Sequence, residues 1–340
     1  MSETLLKIDV LMPFHRIDDY FMEAIQSVLA STGVVVNLIL LDNRKGDRPE
    51  LKLDAFSNKL GDTGHTIQKI SVSHPLTYSN ALNTGLRNCR NKYVALMNSD
   101  DLIHPTRLYL QSKSLIESNN DISICTLQKF SEKRNILSVL GILNLKYYSW
   151  PYLLLGSYGA DASLMFQKSW SDSGNKRFPE SQHSDWLFAL HHYPSAQIVA
   201  IEQPLYRYRI HPNQITNSPE LHKIETLLSE MLFKRFKSLG IQIDDPEVLE
   251  ALAAPFLRVK LRSKKIYELQ LTCDAFLRVF ENQIQRSHVR QVLARRLLLA
   301  FKNPMQMFGL DIRWQLPVLI ELFKILGSIL MGRTRPRSVK

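Results

Sequence analysis

The chain has 340 residues, 45% apolar and 22% charged, which excludes a disordered protein and leaves room for two domains. Its formal charge of +11 is unevenly placed: residues 1–215 hold 22 basic and 20 acidic residues, whereas residues 216–340 hold 21 and 12. The two parts are therefore expected to face different partners. Cys89, Cys125 and Cys273 are scattered without metal-site spacing and suit free thiols in a reducing compartment.

The first residues, Met-Ser-Glu-Thr-Leu-Leu-Lys-Ile-Asp, lack the apolar core of a signal peptide. Ile8 to Met12 is an apolar run ending at Pro13, read as a first strand. Asp18 to Ala30 has helical spacing, with Tyr20, Phe21, Ala24, Ile25, Val28 and Leu29 apolar. Val34 to Leu41 is a β-branched strand closed by Asp42, and Ile67 to Val72 is a third strand. Ser79 to Asn88 reads as a helix. Tyr93 to Met97 then reads as a strand buried on both faces, and His104 to Glu117 as another helix. Further on, Ile122 to Phe130 reads as a strand, Ser184 to His192 as a helix, and Ile198 to Ile201 and Leu205 to Ile210 as two strands. Residues 136–160 give no firm assignment. Pro212 to Pro219 has linker composition, and the pattern beyond it is helical. Alternating strands and helices predict an α/β domain over 1–215, a mostly parallel sheet with helices on both faces. An α-helical region over 216–340 follows.

The strongest chemical signal is the turn Asn98-Ser99-Asp100-Asp101, where a buried strand stops at two carboxylates. Buried acids are costly unless a cation or hydrogen bonds satisfy them. The carboxyl ends of strands in open α/β sheets are also where ligands bind. Asp101, which precedes Pro105, could instead cap the following helix. Asp42 before Asn43 could be a turn former. His183, His191 and His192 lack metal spacing and read as structural. Arg207 and Arg209 alternate with Tyr206 and Tyr208, which suits a solvated strand face or a phosphate contact.

Three segments in order carry a resemblance to a known family. They are Ile-Asp-Val-Leu-Met-Pro-Phe-His-Arg with the helix after it, Ser79-Asn80-Ala81-Leu82-Asn83-Thr84-Gly85-Leu86, and Tyr206-Arg-Tyr-Arg-Ile-His-Pro-Asn-Gln-Ile-Thr216. With acids ending the second and fourth strands, the first ~215 residues resemble a family 2 glycosyltransferase of GT-A fold, inverting and of the bacterial surface-polysaccharide type. The resemblance implies that Asp42 contacts the nucleotide base. It implies that Asn98-Ser99-Asp100 is the Asp-X-Asp turn holding Mn²⁺ or Mg²⁺ on a nucleotide diphosphate, with His211 near the metal. It makes Asp185, in Ser184-Asp185, the catalytic base, and places Pro13, His15 and Asn80 beside the donor. Asn43, Asn98 and Ser184 stand where the family usually has acids, and Asn98 removes one charge from the metal turn. The activity implied is transfer of a sugar from a nucleotide donor, UDP-sugar favoured, to a glycan or lipid-linked hydroxyl. The alternative is a non-catalytic protein of the same fold that binds a glycan or a partner. A sugar nucleotidyltransferase or dehydrogenase would need a glycine-rich loop after the first strand, and Met12-Pro13-Phe14-His15-Arg16 has none.

In the C-terminal region, Arg286, Arg290, Arg295, Arg296 and Lys302 interleave with Val289, Val292, Leu293, Leu297, Leu298 and Phe301. Such a pattern suits an anionic membrane surface over residues 286–340, or a bundle or homodimer contact. No nucleic-acid motif is present. The longest apolar stretch, Trp314 to Met331, is interrupted by Glu321 and Lys324, which fall with Ser328 on one helical face. The setting expected is cytoplasmic, peripheral at the inner face of the plasma membrane.

Overall fold

A computed structural model describes residues 5–46, 56, 60–61, 63–131, 136–140, 150–155, 162–181, 183–192, 197–212, 214, 226–253, 259–280 and 283–330. Two compact units result, Met1–Trp150 with Ser157–Asn217, and Pro151–Gly156 with Ser218–Lys340.

The first unit opens with β1 (Leu6–Phe14), α1 (Asp19–Leu29), β2 (Val34–Asp42), β3 (Thr66–Ser71), α2 (Tyr78–Leu86) and β4 (Tyr93–Leu96). The strands lie parallel in the order β3-β2-β1-β4. Alternation along β1 accounts for the helix on each side. Val10, Met12 and Phe14 join one apolar cluster with Phe21, Ala24, Ile25 and Val28 of α1. Leu11 points the other way and meets α2, where a Cβ on Gly85 would sit 2.1 Å from Leu11 Cδ1. Only a glycine lets this helix approach so closely. Both helices start where local chemistry dictates. Asp18 accepts a hydrogen bond from Phe21 N at 2.9 Å, and Thr77 from Asn80 N at 3.3 Å.

Beyond the acidic turn come β5 (Leu102–Ile103), α3 (Arg107–Ser118), β6 (Ile122–Ser131), β7 (Ile136–Leu140), β8 (Met165–Gln167), α4 (Lys168–Asp172), α5 (Ser184–His192) and β9 (Ile198–Ile210). The sheet continues β4-β8-β6-β9-β5, with β7 on β6. Strands β8, β5 and β7 run antiparallel to their neighbours, and β6 and β9 run parallel to each other. The sheet is therefore mixed, with its larger part parallel. The two strands expected over 198–210 are one. Pairing with β6 shifts between Cys125 and Leu127, so a bulge absorbs the Glu202-Gln203-Pro204 interruption. The short β5 lies beside Tyr206 and Arg207, which brings the end of β9 to the acidic turn.

The helical unit contains α6 (Thr226–Ser238), α7 (Pro246–Ala253), α8 (Ser263–Arg278), α9 (Gln283–Ala300) and α10 (Ile312–Leu330), with a short 3-10 helix, Pro304–Gly309, between the last two. Phe236, Phe276 and Phe280 pack together in its core. Val289, Leu293 and Leu297 turn α9's apolar face into that core, while Arg286, Arg290 and Arg295 stay outside. Arg296 is buried and donates to Leu155 O at 2.6 Å. Thus α9 behaves as a bundle helix, and its apolar side is not available to a membrane.

Candidate active site

Four residues separate β4 from the buried Asp101, and nearly every polar group of this turn is tied inward. Asp101 accepts hydrogen bonds from Tyr206 Oη at 2.8 Å, Arg209 N at 2.7 Å and Asn98 Nδ2 at 3.1 Å. Burial pushes its carboxyl well above the usual carboxylate range, Asp100's charge adds to this, and the three donors oppose it. Arg107 brings a compensating positive charge. Its buried guanidinium sits 4.9 Å from the Tyr206 ring and donates to Gln111 Oε1 and Leu96 O. The capping role considered for Asp101 does not hold, because the N-cap position of α3 is Thr106, which makes no side-chain cap bond. Two donors from β9 and one from Asn98 in the turn itself occupy this carboxylate instead.

Asn98 is tied to its neighbours through both its side chain and its backbone. Its amide nitrogen donates to Asp101, its oxygen accepts from Tyr78 Oη at 3.3 Å, and its backbone N–H reaches Tyr206 Oη at 3.2 Å. A carboxylate here would face Asp101 directly, and an amide supplies the donor that Asp101 needs. Ser99 is half-buried between them.

Arg209 is also not on a solvated face. It is buried, donates Nε to Asp100 O at 2.7 Å, pairs with Glu23 at 2.7 Å, and lies over Tyr20 at 4.4 Å and Phe130 at 4.8 Å. Arg207 stacks on Phe130 at 4.8 Å. With the backbone of the turn held this way, the Asp100 carboxylate is left partly exposed and meets His211 Nε2 at 3.0 Å. His211 is positioned by the Tyr20 ring at 5.1 Å and by Gln214. The latter accepts from His211 N and donates to Arg209 O. Asp100 and His211, 111 residues apart in sequence, are brought within hydrogen-bond distance. His15, exposed after β1, has Asp100 among its electrostatic neighbours.

Asp42 ends β2 opposite Phe14, with its side chain 1% exposed. Both its oxygens are engaged by Arg44, at 2.9 and 2.8 Å, and Arg44 N adds a turn-type bond at 3.3 Å. The turn-forming role is thus present, together with a buried ion pair that the sequence reading did not include. Asn43 makes a two-way bond with the backbone of Leu76, tying β2 to the start of α2. Pro13 is part-buried opposite Leu41.

Asp185 lies in the first turn of α5, with Oδ1 accepting from Trp186 N at 2.8 Å. The approach to α5 is fixed by α2: Asn83 bonds both ways with the Phe178 backbone, and Asn80 reaches Glu180 at 3.4 Å. Tyr78 of α2 in turn touches Asn98. These contacts connect the Asp185 helix to the acidic turn through α2. His183 packs against Trp186, and His192 against Trp170 and Phe188, as structural residues do. Tyr206, Arg209, Arg107, Tyr78 and Glu23 were not foreseen as parts of the turn's support. The Tyr-Arg-Tyr-Arg alternation was a visible signal, but its burial was not. Among the described residues no group of three or more His, Cys, Asp or Glu side chains could hold a metal.

Residues 9–162 match the family model described as glycosyl transferase family 2. The O-antigen biosynthesis glycosyltransferase WbnJ of Escherichia coli is 27% identical over 237 residues, covering 67% of this chain and 90% of that protein. Three other curated glycosyltransferases match at 25% to 29% identity, and the chain spans only 20% of their length. Among solved structures, S. aureus TarS 1–349 in complex with UDP-GlcNAc is similar with a TM-score of 0.53 at 13% identity, covering 86% of each chain. The mannosyltransferase PcManGT from Pyrobaculum calidifontis, in complex with GDP-Man and Mn²⁺, is similar with a TM-score of 0.51 at 14% identity. That likeness covers 94% of this chain and 87% of that one. The parallel strands and the acidic turn at the end of β4 agree with these matches: residues 9–162 match the family 2 glycosyltransferase model, and the fold is of GT-A type.

Proposed function

We propose that this protein is an inverting glycosyltransferase that moves a sugar from a nucleoside diphosphate donor, a UDP-sugar first, to the hydroxyl of a glycan or lipid-linked acceptor. The reaction serves surface-polysaccharide assembly at the inner face of the plasma membrane. The observation that carries this reading is Asp100 itself: the turn's other polar groups bond inward, and its carboxylate meets His211. Support for the setting comes from the O-antigen role in the name of WbnJ.

The donor set fits Mn²⁺ or Mg²⁺. One carboxylate leaves most coordination positions to phosphate oxygens and water, the oxygen ligands these ions prefer, and the His211 imidazole stands beside it. Asp100 and His211 would hold the cation, and Asn98 is bonded to Asp101 and Tyr78. When bound, a divalent cation stabilises the negative charge that builds on a departing diphosphate. The complexes named for TarS, with UDP-GlcNAc, and for PcManGT, with GDP-Man and Mn²⁺, support a nucleotide-sugar donor here. The end of β2 lies on the base side of the donor, where Asp42 acts through the Arg44 guanidinium it holds. Asp185 takes the proton of the acceptor hydroxyl, and one base acting opposite the leaving group inverts the anomeric carbon.

The test is a thermal-shift panel of UDP, GDP and dTDP with and without Mn²⁺, on the wild type and Asp100→Asn. At 100 times the dissociation constant a native-state ligand adds about 2.7 kcal/mol of stability. UDP with Mn²⁺ is expected to stabilise the wild type, and Asp100→Asn to lose the Mn²⁺-dependent part. A variant shift equal to that of the wild type would remove Asp100 from the metal site.

A further inference from the structure

Helix α10 buries one side, Glu321 included, and leaves an apolar stripe exposed on the other. Its sequence offers one polar edge and an apolar remainder. Here Trp314, Val318 and Glu321 face inward and are buried. The outward face carries Ile312, Leu316, Ile320 and Phe323, spaced by four, four and three residues and 45% to 77% exposed. Met305 and Phe308, 71% and 67% exposed, precede them in the 3-10 helix. Single exposed apolar residues are ordinary, but a helical stripe of them marks an interaction surface. From Ile312 to Phe323 the stripe runs about 16 Å at the helical rise.

The inward orientation has local causes. Trp314 Nε1 donates to Asp274 Oδ1 at 3.0 Å, and Asp311 N donates to Gln270 Oε1 at 3.0 Å, both on α8. Together they fix the rotation of the helix start, so the stripe cannot turn in without breaking them. We infer that this stripe docks on the surface of an anionic lipid bilayer, lying in the interface rather than crossing it. Among the described residues no helix is long and apolar enough to cross a membrane. The charge fits the occupant: residues 216–340 carry 21 basic and 12 acidic residues. Lys302 is exposed beside the stripe, Arg313 is exposed there but paired with Asp311, and the sequence after Leu330 adds Arg333, Arg335, Arg337 and Lys340 without an acid. Basic residues flanking an apolar helical face are the pattern of interfacial helices. A second copy of this chain would bring two such basic regions together, which like charge opposes.

The inference is independent of the transferase reading. The full chain is floated with vesicles of phosphatidylcholine alone and of phosphatidylcholine with roughly 30% phosphatidylglycerol, chosen to imitate an anionic leaflet. The wild type is expected to float with the anionic vesicles, weakly with the neutral ones, and to be released in part by about 0.5 M NaCl. The double variant Leu316→Glu/Phe323→Glu, at exposed positions, is expected to keep its melting curve and lose at least about tenfold in vesicle affinity. Equal flotation of the two proteins would overturn the inference, as would a wild type that floats with neither vesicle. So would a lipid-free dimer of the wild type that this double substitution dissociates. Donor turnover is measured in the same samples without vesicles, which separates failure here from failure of the catalytic reading.

Discussion

Replacing Tyr206 with Phe deletes one oxygen at the point where the acidic turn is pinned to β9. That hydroxyl donates to Asp101 Oδ2 at 2.8 Å and accepts from Asn98 N at 3.2 Å. The ring stays, so no cavity of note forms and the Arg107 stacking survives. The loss is one bond to a buried carboxylate, worth about 1.5–3 kcal/mol, and one buried N–H left unpaired, at about 1–3 kcal/mol. These terms overlap, so the expected destabilisation is about 2–4 kcal/mol near neutral pH. Asp101's folded pKa is raised, so its ionisation costs the fold stability as pH rises through that value. Removing a donor raises the folded pKa further, and the deficit of Tyr206→Phe should therefore shrink as pH falls. Urea unfolding of wild type and variant between roughly pH 4 and 7 measures both quantities. A deficit below about 0.5 kcal/mol, or one that does not shrink toward acid pH, would refute the reading of Tyr206 as the pin of this turn.

Asp185→Asn should lower transfer about 10²- to 10⁴-fold while leaving donor affinity nearly unchanged, as measured by turnover and calorimetric binding of UDP. Retained turnover would take Asp185 out of its role as base, and absence of turnover in the wild type would favour the non-catalytic alternative. Gly85→Ala should cost about 1–3 kcal/mol in thermal or urea unfolding, because the new methyl would overlap Leu11 in the α2–β1 contact. An unchanged midpoint would show that α2 can move outward without loss.

Much of the fold could be read from local chemistry. Apolar runs predicted β1, β2 and β4, Asp18 marked the start of α1, and the acid at the end of β4 marked the site. The short inserted strand β8 was missed because three residues of Met165–Gln167 carry too little periodicity to stand out. The joining of two expected strands into β9 was missed because a proline there looks like a stop, and only a bulged edge pairing accommodates it.

The candidate site divides the same way. Residue types pointed to Asp100, an acid after a buried strand, whereas His211 was singled out only by the family resemblance. Which carboxylate faces outward was not local. Asp101 is satisfied by Tyr206 and Arg209, more than 100 residues away, and Asn98 is drawn inward by that same carboxylate. The orientation of α10 was non-local too: α8 holds its start through Trp314–Asp274 and Asp311–Gln270 bonds, which buries Trp314, Val318 and Glu321. The sequence by itself determined which segments are strands and helices and which of them carry acids. Periodicity and capping act within a few residues of each other. Tertiary structure alone decided which of those charges is paired and which stripe stays in contact with solvent. Such outcomes depend on partners brought together from distant parts of the chain.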